Sequence, residues 1–487
     1  MTVDLPDYWL SRFVFERALA LVYLVAFVGA ANQFVPLLGS RGLLPVRRFT
    51  ELVPFRSSPS LFHVWSSDTA IRMSAWAGAA LACLVLAGVP QQLGAAGVAV
   101  VWLAMWVLYL SFVNTGQTFY GFGWELILLE AGFFAAWLGG AATPPSPWLG
   151  WIWAWLLFRV MFGAGLIKLR GDPCWRDLTC LQYYFETQPI PNPLSWHFHW
   201  LPRGVHRAGV AFNHVVELAV PFFYFAPQPI AAIAALLTIV FQLVLIVSGN
   251  LSWLNWLTIV ISLPLVDDRW WRWLPIEATA AGPAPLAFRL AVYALAGLVA
   301  VLSVPPIRNL LSRRQLMNTS FNPLHLVGTY GAFGSITRDR YEIVIEGTDA
   351  PAVTPAAVWR EYEFKGKPGD PRRRPRQIAP YHLRLDWLMW FAAMSPRPRD
   401  AWFYALVDKL LDGDRAVLGL LASNPFPRQP PRFVRARYYR YRFTTPAERR
   451  ATGAWWRREL IGDYLRPVAA TRPVHRRAPR GRSDASQ

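Results

Sequence analysis

PIAAIAALLTIVFQLVLIVS, Pro229 to Ser248, holds 20 residues without one charged side chain. A bilayer core takes about 20 consecutive apolar residues to cross. This stretch is therefore read as a membrane span, and it decides the class of fold. Gly249-Asn250 follows, and then a second apolar run to Val266. The pair forms either a tight helical hairpin or a broken helix. Working outward, comparable runs lie at about 13–34, 70–89, 93–113, 123–140, 148–169, 205–226 and 286–304. The sequence thus predicts a polytopic α-helical membrane bundle of about nine spans. The first run has no small-residue cleavage site ahead of a soluble domain and reads as a retained span. Trp148, Trp151, Trp253 and Trp270 fall near span ends, as an interfacial aromatic belt would place them, whereas Trp102 and Trp106 are central.

Composition agrees. Of 487 residues, 54% are hydrophobic and 16% charged, against about 25% charged in an average soluble domain. With 25 Trp and 40 Pro, this is neither a soluble globular enzyme nor a disordered chain. The net charge of +19 is unevenly distributed. Residues 1–312 carry 17 basic and 14 acidic side chains, a net +3, and residues 313–487 carry 32 and 16, a net +16. Three parts follow: a membrane domain at 1–312, a basic C-terminal domain at 313–465, and a tail at 466–487 whose Arg, Pro and Ser content predicts disorder. Only four basic residues are Lys, a bias that points to a GC-rich genome.

Two loops between spans are long, 35–69 and 170–204, and both are basic. Nine spans put them and the C-terminal domain on one face. The positive-inside rule would make that face cytoplasmic. Within the C-terminal domain, Tyr330–Ser335 and Tyr341–Gly347 read as strands, as do Trp359–Phe364 and Phe433–Phe443. Helices are expected at 381–393 and 400–421. The domain is predicted to be α+β or β-sandwich-like. No internal repeat is found, which disfavours a transporter built from repeated span sets.

Several residues could carry chemistry. Lys168 ends a span. It is either a base whose ammonium is partly withdrawn from water or a lysine snorkelling to the interface. Glu125, Glu130 and Glu217 lie inside predicted spans, where carboxylates are costly and face a cavity or another helix. Glu125 and Glu130 share no clear helical face, whereas His214 and Glu217, three apart, do. Cys174 and Cys180 are either two free thiols or a short disulfide in an oxidising compartment. His197, His199 and His206 do not form a recognisable ligand set, and no metal site is predicted. Walker A, dinucleotide-binding and nucleophile-elbow motifs are absent, and no cofactor is predicted. Gly328 to Gly334 reads as turns. The Arg372–Arg376 run reads as a solvated loop or a contact to an acidic partner or lipid phosphates, and nucleic-acid binding is not expected. Asn250-Leu251-Ser252 and Asn318-Thr319-Ser320 match the glycosylation pattern.

From about Phe119 to Tyr464 the chain resembles the lipase maturation factor family. The resemblance rests on Phe122-Gly123-Trp124-Glu125, Gly165 to Cys180, Glu186 to Pro193, Ser248 to Thr258, Asn318 to Thr348 and Pro380 to Phe391. It implies a membrane-anchored factor that helps secreted lipases fold and assemble, with a lipase-type client and membrane lipids as partners. It also implies a C-terminal domain on the non-cytoplasmic side, opposite to the charge count, and an endoplasmic reticulum membrane in a eukaryote or the plasma membrane in a bacterium. Long domains translocate largely regardless of charge, so the non-cytoplasmic assignment is adopted. Candidate client contacts are Tyr330, Phe333, Tyr341, Trp359, Tyr362, Asp386 and Trp387. Core packing is the alternative at each. The segment Ala164 to Leu169, with Trp175 and Tyr184, is more distantly similar to vitamin K-dependent gamma-carboxylases, and implies the alternative of an integral-membrane enzyme using Lys168 as a base. The favoured reading is a folding factor rather than an enzyme.

Overall fold

The computed structural model describes residues 8–277 and 282–470. Of the tail predicted at 466–487, residues 471–487 lie outside the described residues, and 466–469 belong to a strand. Among the described residues, seven helices are long and apolar enough to cross a membrane: Trp9–Leu38 (α1), Asp68–Leu86 (α2), Gly94–Thr115 (α3), Pro147–Arg170 (α5), Arg203–Phe225 (α6), Ile230–Ser248 (α7) and Leu286–Leu311 (α9). Two of the nine expected spans are shorter. Gly123–Ala135 (α4) has 13 residues, and Leu254–Leu265 (α8) is a short apolar helix.

Both short helices nevertheless run from one face of the bundle to the other. At the start of α4, Glu125 meets Arg384 of the C-terminal domain. Just beyond its end, the carbonyls of Leu138 and Ala141 accept from the Arg12 guanidinium at the start of α1. The far end of α8 is held likewise, with Gln228 Nε2 donating to the Leu265 carbonyl at 2.7 Å. Thirteen residues reach only about 20 Å. Such a helix is tolerated because it is wrapped by others: all but one residue of α4 are buried. Hydropathy alone cannot distinguish such an enclosed helix from a lipid-facing span.

The resulting path places both long loops and the C-terminal domain on one face. Between Ser248 and Leu254 the chain turns sharply, so 229–266 is a hairpin of two helices rather than one broken rod.

The C-terminal domain is α+β. Its strands are Arg340–Thr348 (β1), Arg360–Glu361 (β2), Phe433–Phe443 (β3) and Trp456–Ala469 (β4), in one antiparallel sheet of order β2-β1-β3-β4. The register pairs Arg340 with Tyr441 and Thr348 with Phe433. Among the described residues there is no second sheet, so the sandwich alternative does not hold. Helices Arg384–Ala392 (α10) and Ala401–Leu411 (α11) cover one sheet face. Tyr438 and Tyr464 hydroxyls donate to the Ala393 and Ala392 carbonyls at the end of α10.

Three local expectations are corrected. Tyr330–Ser335 is not a strand, because its polar groups are used on the bundle, as described below. Trp359–Phe364 contributes only the two-residue β2. The helix expected over 400–421 breaks at Gly413, whose φ of +65° suits glycine. Strand β4 is absent from the sequence reading. Its charged residues interrupt the alternation, and it carries the chain past the expected boundary at 465 to Ala469.

Candidate functional site

The segment after α9 returns along the bundle before it enters the sheet. Gln315 Nε2 donates to the Gly163 carbonyl at 3.0 Å, and Asp172 N donates to the Gly334 carbonyl at 2.8 Å. A Cβ on Gly163 would collide with the Tyr330 carbonyl. The glycine at that position of α5 is what allows residues 330–334 to lie so close.

Two buried charge clusters then tie the C-terminal domain to the membrane helices. In the first, Arg384 Nη1 donates to Glu125 Oε1 at 2.7 Å and to the Phe119 carbonyl at 2.8 Å. Its guanidinium stacks 3.3 Å over Tyr120, and the Tyr109 hydroxyl donates to the other oxygen of Glu125. Gln33 of α1 completes the dock, accepting from Arg384 N at 3.0 Å and donating to the His382 carbonyl at 2.7 Å. In the second, Glu130 pairs with Arg159 of α5. It also accepts from the Tyr330 hydroxyl at 2.6 Å and from Gly328 N at 3.2 Å. Glu125 and Glu130 thus do more than bond helix to helix: each receives a group from the C-terminal domain or the segment leading to it.

The long loop 170–204 joins the same dock. Arg340 of β1, wholly buried, donates to the carbonyls of Glu186, Gln188 and Pro189 and pairs with Glu342. Lys367 takes the second oxygen of Glu342 at 2.9 Å. Asn250, in the α7–α8 turn, accepts from Ile378 N at 2.7 Å and Ala379 N at 2.9 Å and donates to the Arg376 carbonyl at 2.8 Å. Asn250 is 2% exposed, so its amide is committed to packing and is not presented as a glycan acceptor.

Lys168 is neither at the surface nor snorkelling. It is 5% exposed. Its Nζ donates to Glu217 Oε1 at 2.6 Å and Asn213 Oδ1 at 2.8 Å, 4.9 Å from the Trp175 ring. Asn213 Nδ2 donates to Glu217 Oε2 at 2.9 Å, closing the trio. His214 is not part of it, and Nε2 of His214 meets the Trp175 carbonyl at 3.0 Å. The expected His214–Glu217 face is lost because Val215–Ala219 is wound as a π-helix. Such a turn rotates the face by a fraction of a residue, and Asn213 takes the place of His214.

The trio lines a cavity of about 220 Å³ between the bundle and the C-terminal domain. Phe122, Trp124, Trp387 and Phe391 form an aromatic wall, and Asn255 and Gln242 add polar groups from α8 and α7. Nearby, Cys174 and Cys180 form a disulfide, with Cα atoms 4.8 Å apart. Asp172 caps the turn ahead of it by accepting from Cys174 N, and its carboxyl is held below the usual range by the Arg338 guanidinium. Among the described residues no group of three or more His, Cys, Asp and Glu could hold a metal ion.

The seven candidate client residues fare differently. Tyr330, Tyr362, Asp386 and Trp387 are all under 5% exposed and serve the protein's own interior. The Asp386 carboxylate accepts from Gly366 N and Lys367 N, and burial raises its pKa against those bonds. Phe333, Tyr341 and Trp359 are half-buried. Phe333 lines the cavity, Tyr341 stacks on Tyr438, and Trp359 lies under the Arg435 guanidinium. Sequence reading passed over Arg159 and Arg384. An arginine in the middle of an apolar span was a visible signal for the first. The second lies in the motif Pro380 to Phe391, where no signal marked it as the partner of a buried carboxylate.

These features define a class: a multi-pass helical membrane protein whose α+β domain is docked onto the helix ends by buried ion pairs. Known sequences narrow it. The model of the lipase maturation factor transmembrane domain matches residues 10–273, and that of the lipase maturation factor C-terminal domain matches residues 326–466. The chain is 46% identical to lipase maturation factor 1 of Bos taurus over 95% of this chain and 89% of the relative. It is 45% identical to lipase maturation factor 1 of Homo sapiens, over 95% and 88%. To lipase maturation factor 2 of Homo sapiens it is 28% identical, over 96% and 83%. The chain belongs to the lipase maturation factor family. No solved structure matches it.

Proposed function

We propose that this protein is a membrane-embedded maturation factor that helps lipase-type clients fold and assemble, with its C-terminal domain on the non-cytoplasmic face, which is the endoplasmic reticulum lumen in a eukaryotic cell. The observation that carries this reading is the match of both family domains, in order, at 46% identity over 95% of the chain. The disulfide Cys174–Cys180 supports the orientation. It lies on the same face as the C-terminal domain, and disulfides persist in oxidising compartments. The buried arginine docks hold that domain in a fixed pose on the bundle, which suits a rigid platform for a partly folded partner. The role needs no catalytic residue. Lys168, bonded to both Glu217 and Asn213, is read as holding α5 to α6 beside the cavity.

The test is the activity of a secreted lipase, with lipase mass measured beside it, in cells lacking this protein. Wild type is expected to raise activity per lipase molecule, and a chain lacking 313–470 is expected not to. An unchanged ratio with wild type, at normal expression, would overturn the proposal. If Lys168→Met removes the effect at normal expression and melting temperature, the membrane-enzyme reading takes its place.

A further inference from the structure

We infer that the cavity at the seam between the bundle and the C-terminal domain binds a neutral amphiphile, a molecule with an apolar body and an uncharged hydrogen-bonding head. This inference stands apart from the lipase-maturation reading.

Four observations carry it. The wall is aromatic: Phe122 and Trp124 stack at 4.6 Å, and Trp387 meets both edge-on. Such a surface takes an apolar body and, kept empty, would forfeit dispersion contacts. Polar groups converge on the same space. Asn255 is 3% exposed and lines the cavity, yet among the described residues its side chain makes no hydrogen bond. Among the described residues, the amide of Gln242, which is 4% exposed, makes only a 3.5 Å contact to the Met161 sulfur. Both amides line the cavity and neither is sealed off, so their free polar groups are within reach of whatever fills it. Asn255 can both donate and accept, which suits a hydroxyl or ester head.

The electrostatics then select the charge. Lys168 and Glu217 neutralise one another at 2.6 Å. A charged head would stand there without a partner, whereas a neutral one leaves the pair intact. Finally, there is a way in. Phe391 at the rim is 44% exposed, and Gly121 beside it is exposed. The opening lies at the helix ends, the level at which a lipid's polar head sits. The space of about 220 Å³ holds a head and the first part of a chain, with the remainder leaving through the rim.

The experiment uses the full chain in phosphatidylcholine nanodiscs and a diazirine-bearing monoacylglycerol as the probe, with a diazirine-bearing fatty acid of the same chain length beside it. Photolysis is followed by mapping of the labelled peptides. The monoacylglycerol is expected to label peptides containing Phe122, Trp387 or Phe391, and excess unlabelled monoolein is expected to suppress this. Asn255→Leu should reduce that labelling about tenfold, the worth of roughly 1.4 kcal/mol. Ala164→Phe, which fills the cavity from α5, should abolish it. Melting temperatures show that each variant is folded, and the monoolein competition needs no variant. Labelling confined to the outer faces of the helices, labelling unaffected by competitor, or equal labelling by the fatty acid would overturn the inference.

Discussion

Arg384 and Glu125 lie 259 residues apart in the chain and 2.7 Å apart in space, both wholly buried. The arginine comes from the basic domain and the carboxylate from a helix enclosed by the bundle. Removing one member of a buried pair strands the other and costs about 3–5 kcal/mol. Arg384→Ala is therefore expected to lower the melting temperature and expose the C-terminal domain to protease. The double variant Arg384→Met, Glu125→Gln should recover part of the loss, because it leaves no unpaired charge. Full additivity of the matching single variants, Arg384→Met and Glu125→Gln, would show that the residues do not interact.

Glu130 has more than one partner, so its partners are unequal. Tyr330→Phe removes one neutral donor and leaves Arg159 in place. The expected cost is about 1 kcal/mol. Glu130→Ala strands Arg159 and should cost about 3–5 kcal/mol. Chemical denaturation of the detergent-solubilised protein separates the two. Equal losses would mean that Tyr330, not Arg159, sets the stability of this cluster.

Burial holds His382 at about 4, against an ordinary value near 6.5. His199 and His325 are depressed to about 4 for the same reason. Between pH 6.5 and 4 the unfolded chain takes up protons at these positions and the folded chain does not. Their contribution to stability is therefore complete above pH 6.5 and lost as pH falls toward 4. Asp386 and Glu186, raised by burial, act in the opposite sense. The histidine effect is best read as a difference. His382→Phe, which keeps a ring against Phe122 and Trp124, should flatten the slope of melting temperature between pH 7 and pH 5. An unchanged slope would assign the sensitivity elsewhere.

The Cys174–Cys180 loop is short, so its crosslink is worth about 2 kcal/mol in the chain-entropy account. A non-reducing digest of protein from native membranes is expected to yield the 174–180 peptide in oxidised form. Cys174→Ser should lower stability by about that amount. Recovery of free thiols from undisturbed membranes would place this loop, and with it the C-terminal domain, on the reducing side.

The sequence by itself determined the bundle. Long apolar runs such as Pro229–Ser248 have no other stable environment than a bilayer, and the charge step after residue 312 separates the membrane part from the polar one. It also determined β3, whose residues alternate over Phe433–Phe443, because a half-buried strand writes its two faces into every second position. The family motifs Gly165 to Cys180 and Ser248 to Thr258 were legible as unusual strings, but their purpose was not. Asn250 serves Ile378 and Ala379, more than 120 residues away. Glu217 prefers Asn213 to His214 because of a π-helical turn that no periodicity announces. Aromatic residues that looked suited to a client surface, Tyr330 and Trp387, proved to be interior. Hydropathy and period report which side of its own element a residue occupies. Only the tertiary structure decides what stands opposite, and at this seam it is buried charge meeting charge from a distant part of the chain.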